Sequence, residues 1–101
     1  MRRAANVDGN QPAVMEALRR AGITVQPLHT VGKGCPDLLC GFRGVNVLVE
    51  VKRGDKTESR KQLNSMQTTW HSAWAGQCAV AETAEDAIRI VIEEAMRRGK
   101  L

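Results

Sequence analysis

Apolar positions recur along the chain with two spacings, and the places where the spacing changes divide it into elements. "NQPAVMEALRRAG" has the helical spacing, with Val14, Leu18 and Ala21 on one stripe. Asn10 or Gln11 is placed to cap it, Pro12 falls in the first turn, and Gly22 stops it. "ITVQPLHT" reads as a strand whose Pro27 limits its pairing. "VGKGCP" is a turn, and "DLLCGF" and "VNVLVEVK" are strands joined around Arg43 and Gly44. "NSMQTTWHSAWAG" is a second helix. Asn64 and Gln67 have capping-box spacing, Met66, Trp70, Ala73 and Trp74 form an apolar stripe, and Gly76 ends it. "QCAVAE" is a short strand. "TAEDAIRIVIEEAMRRGK" is the last helix, capped at Thr83, with acids early and Arg97, Arg98 and Lys100 late, as the helix dipole favours. Its buried face is expected to hold Ala87, Ile88, Val91, Ile92 and Ala95.

The order is α-β-β-β-α-β-α, an α/β fold in one domain spanning residues 1–101, with residues 1–9 polar and loose. Near-continuous apolar runs such as "VLVEV" suggest a mixed sheet flanked by helices on both faces. "RGDKTESRK", residues 53–61, has no periodicity and reads as a charged loop.

One feature of the central hairpin conflicts with burial: Asp37, Glu50 and Lys52 sit among apolar residues. With Arg43 and Gly44 at the turn, Phe42 pairs with Val45 and Cys40 with Val47. Continuing the register sets Asp37 opposite Glu50, with Cβ atoms about 4.5–5.5 Å apart. Lys52 lies two residues on and shares their face, whereas Val51 points into the core. Arg-Gly is not the preferred two-residue turn, and a slip of one residue would part the carboxylates. The same three residues could also be solvated edge positions, with Glu50 paired to Lys52 or Arg53.

Composition narrows the chemistry. The 101 residues carry a formal charge of +4 and a pI near 9.3, which suits a polyanionic partner such as nucleic acid, or simply a basic surface. Three cysteines with no CxxC spacing argue for free thiols in a reducing compartment. No apolar run reaches the roughly 18 residues of a membrane span, and "MRRAANVDGN" lacks the apolar segment of a signal peptide. A soluble intracellular protein is expected.

Two carboxylates in contact repel unless a proton or cation lies between them. Hard oxygen donors at a sheet edge suit Mg²⁺ or Mn²⁺, and the Val51 backbone carbonyl could add another oxygen. Such an ion acidifies a water and stabilises charge on a phosphoryl oxygen, while an adjacent lysine orients or deprotonates the attacking water. One acid pair, one metal and one lysine make a phosphodiesterase site.

"PD" at 36–37, twelve residues, then "EVK" at 50–52 resembles the PD-(D/E)xK nuclease signature. The element order is similar to that superfamily's restriction-endonuclease-like core. With "GKGCPDLL" before and "MQTTWH" after, the chain most resembles the virus-type replication-repair nuclease (VRR-NUC) domains, in their small stand-alone phage or prophage form. The resemblance implies a metal-dependent DNA endonuclease with Asp37 and Glu50 as metal ligands and Lys52 as the catalytic lysine. Gln67 matches a glutamine those domains hold near the site, although the capping role for Asn64 explains it too. Relatives often contribute a glutamate from the first helix. Here the nearest match is Gln11, with Asn10 and Asp8 beside it, while Glu16 lies more than a turn further on. The resemblance also implies a homodimer, a branched substrate such as a Holliday junction or flap, and the bacterial cytoplasm as location. A non-catalytic DNA-binding subunit of a phage replication or packaging complex is the alternative.

Gly32-Lys33-Gly34 lacks the spacing of a phosphate-binding P-loop. The glycines let the backbone turn before Asp37, with Lys33 able to touch a phosphate. His29, Cys35 and Cys40 match no standard zinc spacing. His71 shares a helix face with Gln67 and reads as a surface residue. Arg53, Lys56, Arg60 and Lys61 flank the proposed site and are candidates for phosphate contact. Trp70 and Trp74, on the apolar stripe, are assigned to the core or a dimer interface.

Overall fold

Pro12 and Gly22 bracket the first helix because one lacks an N–H and the other tolerates a left-handed backbone. In the computed structural model, which describes residues 10–52 and 63–101, α1 runs Gln11–Arg20 and Gly22 follows it at φ +87°. The chain continues as β1 (Thr24–Pro27), β2 (Leu38–Phe42), β3 (Val45–Val51), α2 (Ser65–Ala73), β4 (Cys78–Ala81) and α3 (Ala84–Arg97). Among the described residues the fold is α/β, with three helices and a four-stranded mixed sheet of order β1-β2-β3-β4. β1–β2 and β2–β3 are antiparallel and β3–β4 is parallel. Pro27 therefore lies on an edge strand, where a missing donor is tolerated.

The hairpin has the register expected from its turn. Phe42 pairs with Val45, Cys40 with Val47 and Leu38 with Val49. Arg43 (φ 52°) and Gly44 (φ 81°) both adopt the positive φ that a tight type I′ connection needs. Arg43 takes this conformation without being a residue that favours it.

Alternation then sorts the side chains. Leu38, Cys40, Val45, Val47, Val49 and Val51 join Val14 and Leu18 of α1 and Ala87, Val91 and Ala95 of α3 in one core. Each large aliphatic side chain buried there contributes about 1.5–3 kcal/mol. Thr83 caps α3, its Oγ1 accepting from the Asp86 N–H at 3.0 Å. Ile88 and Ile92 lie at the margin of the α3 face, half-buried.

Three expectations need correction. Asn10 occupies the N-cap position with helical backbone angles (φ −81°, ψ −18°) and makes no side-chain cap. Its Nδ2 instead donates to the Glu82 carbonyl at 3.1 Å, tying the start of α1 to the end of β4. Ala21 is exposed, since it follows the last turn of α1. The third concerns α2. None of its residues is buried, and Met66 and Trp74 are 54% and 48% exposed. Its apolar stripe is not core, because the sheet face on its side carries the polar set Asp37, Glu50 and Lys52. The helix also stops at Ala73, before Gly76. Among the described residues, no helix is long and apolar enough to cross a membrane.

Candidate functional site

The site forms where the β2–β3 ladder runs out. One step beyond the Leu38–Val49 pair, the backbone of Asp37 is gripped from the β1 side: its carbonyl accepts from the Leu28 N–H at 2.7 Å. From the β3 side, its Oδ2 accepts from the Val51 N–H, also at 2.7 Å. A charge-assisted bond of that length fixes the carboxylate against the strand that carries Glu50.

Glu50 is only 3% exposed. Its Oε2 accepts from Gln67 Nε2 at 2.9 Å and lies 3.8 Å from Lys52 Nζ. Lys52 Nζ in turn donates to Gln67 Oε1 at 3.0 Å. The amide of Gln67 thus bridges a carboxylate and an ammonium, and only one orientation of that amide serves both. The same Oε1 accepts from the Asn64 N–H at 3.0 Å, while Asn64 Oδ1 accepts from the Gln67 N–H at 2.9 Å. The capping box is present, and the residue that completes it also reaches the acid and the lysine.

Gly34 lets α2 come this close. It has φ +88°, and a Cβ there would run into the Met66 carbonyl and stand 3.1 Å from Trp70 Cβ. Gly32 and Lys33 also have positive φ, so the chain turns sharply before Asp37. The result is a cleft of about 380 Å³ whose lining includes His29, Lys33, Cys35, Asp37 and Gln67.

Charge and burial in the site act on its neighbours. The Cys78 thiol is pushed up to about 11 by burial first, then by the Glu50 and Cys35 charges. Cys35 is raised by burial, then by Glu50 and Asp37. His71 is lowered by burial and by the Lys52 ammonium, with Asp37 opposing. Its Nδ1 is 3.2 Å from Cys78 Sγ. His71 is therefore half-buried beside the site and is not the surface histidine its sequence suggested. Its four-residue spacing from Gln67 was the signal. His29, Cys35 and Cys40 do not converge: Cys40 belongs to the core, while the other two line the cleft.

Asp37, Glu50, Lys52 and Gln67 are thus brought together, and Val51 joins them through its N–H. Lys33 stands exposed at the rim. Gln11 is fully buried, and neither its Oε1 nor its Nε2 meets a hydrogen-bond partner among the described residues. It opens α1, which Asn10 holds against the residue following β4. Glu16 is exposed and bonded to Arg20. Asp8, Arg53, Lys56, Arg60 and Lys61 lie outside the described residues.

Among the described residues, no group of three or more His, Cys, Asp or Glu converges as a metal cage. The donor set fits a less enclosed ion. Two carboxylates facing each other just beyond the Leu38–Val49 pair, with a backbone carbonyl on the strand of Glu50, fit Mg²⁺, which takes one or two carboxylates and keeps several waters. Comparison with family models, curated proteins and solved structures finds no match.

Proposed function

We propose that this protein is a Mg²⁺- or Mn²⁺-dependent endonuclease that hydrolyses DNA phosphodiester bonds, with a restriction-endonuclease-like fold of the VRR-NUC type. The observation that carries this reading is the Gln67 bridge between Glu50 and Lys52, beside an Asp37 anchored to Val51. A structural ion pair has no need of a second carboxylate on the opposite strand, lining an open cleft.

Asp37, Glu50 and the Val51 carbonyl would hold the ion, which when bound supplies an acidified water and neutralises charge on the phosphoryl group. Lys52, kept in place by Gln67, orients the attacking water and offsets the negative charge that builds at phosphorus. Gln67 holds acid and lysine apart at a fixed spacing, so neither collapses fully onto the other. Gln11, whose buried amide meets no partner among the described residues, would be the first-helix contribution. Lys33 draws a phosphate toward the cleft, and the basic residues Arg53, Lys56, Arg60 and Lys61 extend that attraction. A homodimer acting on a branched substrate, Holliday junction or flap, within the bacterial cytoplasm belongs to the same proposal.

The test is incubation with junction, flap, duplex and single-stranded DNA in Mg²⁺, Mn²⁺ or EDTA, with Asp37→Ala and Lys52→Ala alongside. Metal-dependent cleavage lost in both variants is expected. Cleavage that persists in EDTA or in both variants refutes the mechanism. Binding without cleavage under every metal assigns the chain to the non-catalytic DNA-binding class.

A further inference from the structure

A second depression, of about 500 Å³, lies along α2 and is lined by Lys33, Met66, Thr69, Trp70, Ala73 and Trp74, with Ser65 at its end. Lys33 and Met66 also line the site cleft, so the two depressions adjoin at these side chains. Inside the groove Trp70 and Trp74 are stacked, with ring centroids 4.7 Å apart and planes 16° from parallel. Trp74 and Met66 are about half exposed. Between groove and cleft stands Lys33, exposed and held at φ 58° between two glycines.

We infer that this groove is a stacking platform for an unpaired base of the nucleic-acid substrate, with Lys33 on the phosphate that links that base to the cleft. The inference rests on the nuclease reading and adds a substrate class: strands with at least one unpaired nucleotide beside the cut. Three observations select this occupant. A ready-made indole pair is a sequence-tolerant surface for a further aromatic ring. The cation at the junction complements a phosphate, and a base in intact duplex has no open face to offer. A second copy of the chain fits less well. A nine-residue helix is only about 13.5 Å long, so its groove alone supplies a small part of the roughly 800 Å² per partner of a stable interface.

The test measures affinity in EDTA for a single-stranded oligonucleotide and for a duplex of equal length, by tryptophan quenching and by anisotropy. Trp74→Ala is expected to weaken single-strand binding about tenfold or more, with duplex binding changed less than twofold, because stacking acts on each unpaired base. Trp74→Phe recovers most of the loss. Lys33→Ala lowers the salt slope for the single strand by about 0.7. Equal losses on both substrates, no loss, or no single-strand binding by the parent protein overturn the platform. So does a dimer that dissociates on Trp74→Ala in sedimentation, which would make the groove an interface between copies. Failure of the nuclease reading is separately visible as absence of metal-dependent cleavage on every substrate. If cleavage persists while Trp74→Ala leaves single-strand affinity intact, only the platform falls.

Discussion

Gln67→Ala separates a helix cap from a site residue, because one side chain performs both tasks and a neighbouring variant removes only one. Asn64→Ala deletes the cap bond to the Gln67 N–H and leaves the glutamine amide in place. Loss of such a cap costs about 1 kcal/mol. Gln67→Ala removes three bonds: those Oε1 accepts from the Asn64 N–H and from Lys52 Nζ, and the one Nε2 donates to Glu50 Oε2. Hydrogen bonds to charged groups contribute about 1.5–3 kcal/mol each. The side chains of Glu50 and Lys52 are 4% and 15% exposed and already 3.8 Å apart. They can close on each other and take up water from the cleft, which offsets part of the loss. The expected cost is therefore about 3–4 kcal/mol, against about 1 for Asn64→Ala. Urea unfolding followed by tryptophan fluorescence measures both. Metal-dependent cleavage should fall about 10²-fold in Gln67→Ala, the scale of a roughly 1 Å misplacement of a reacting group, and stay within a few-fold in Asn64→Ala. Equal destabilisation by the two substitutions, with cleavage intact, would show that Gln67 only caps α2.

Other expectations follow from the same geometry. Gly34→Ala forces α2 away from the cleft and adds the left-handed backbone penalty, so it should cost several kcal/mol, whereas Gly22→Ala at nearly the same φ meets open space and costs about 1–2 kcal/mol; paired denaturation curves check this. His71 is lowered by burial and then by Lys52, so the unfolded chain takes up that proton first. Its contribution is complete above about pH 6.5 and is lost as pH falls from there through the folded value. In EDTA, stability of the parent should therefore drop more between pH 7.5 and 5.5 than that of His71→Gln. Cys40 and Cys78, both pushed up to about 11, should alkylate far more slowly at pH 8 in the folded protein than in urea. Mass spectrometry resolves each site.

The hairpin was legible in the sequence because alternation and a two-residue turn leave few registers that bury Leu38, Val47 and Val49 together. From that register, Asp37, Glu50 and Lys52 on one face followed directly. The environment of α2 was not legible. Met66, Trp70, Ala73 and Trp74 have the spacing of a core stripe, and nothing local reveals that Asp37, Glu50 and Lys52 lie beneath the helix. Gln67 was legible as a cap, since that interaction spans three residues. Its reach to Glu50 and Lys52 depends on how α2 docks, which is set by Gly34 and cannot be read from spacing. For the same reason His71 looked exposed, and Asn10 looked like a cap although its partner, Glu82, is 72 positions away.

A helix with no buried residue has little hydrophobic reason to stay where it is. α2 is secured chiefly by the atoms that would do the chemistry, together with its fit against Gly34 and the His71–Cys78 contact. The core formed by α1, α3 and the sheet does not depend on it. Opening of α2 should thus be a separate event of lower free energy than global unfolding, with its amides exchanging hydrogen sooner than those of α3. On heating, the proposed cleavage should cease while most of the structure persists.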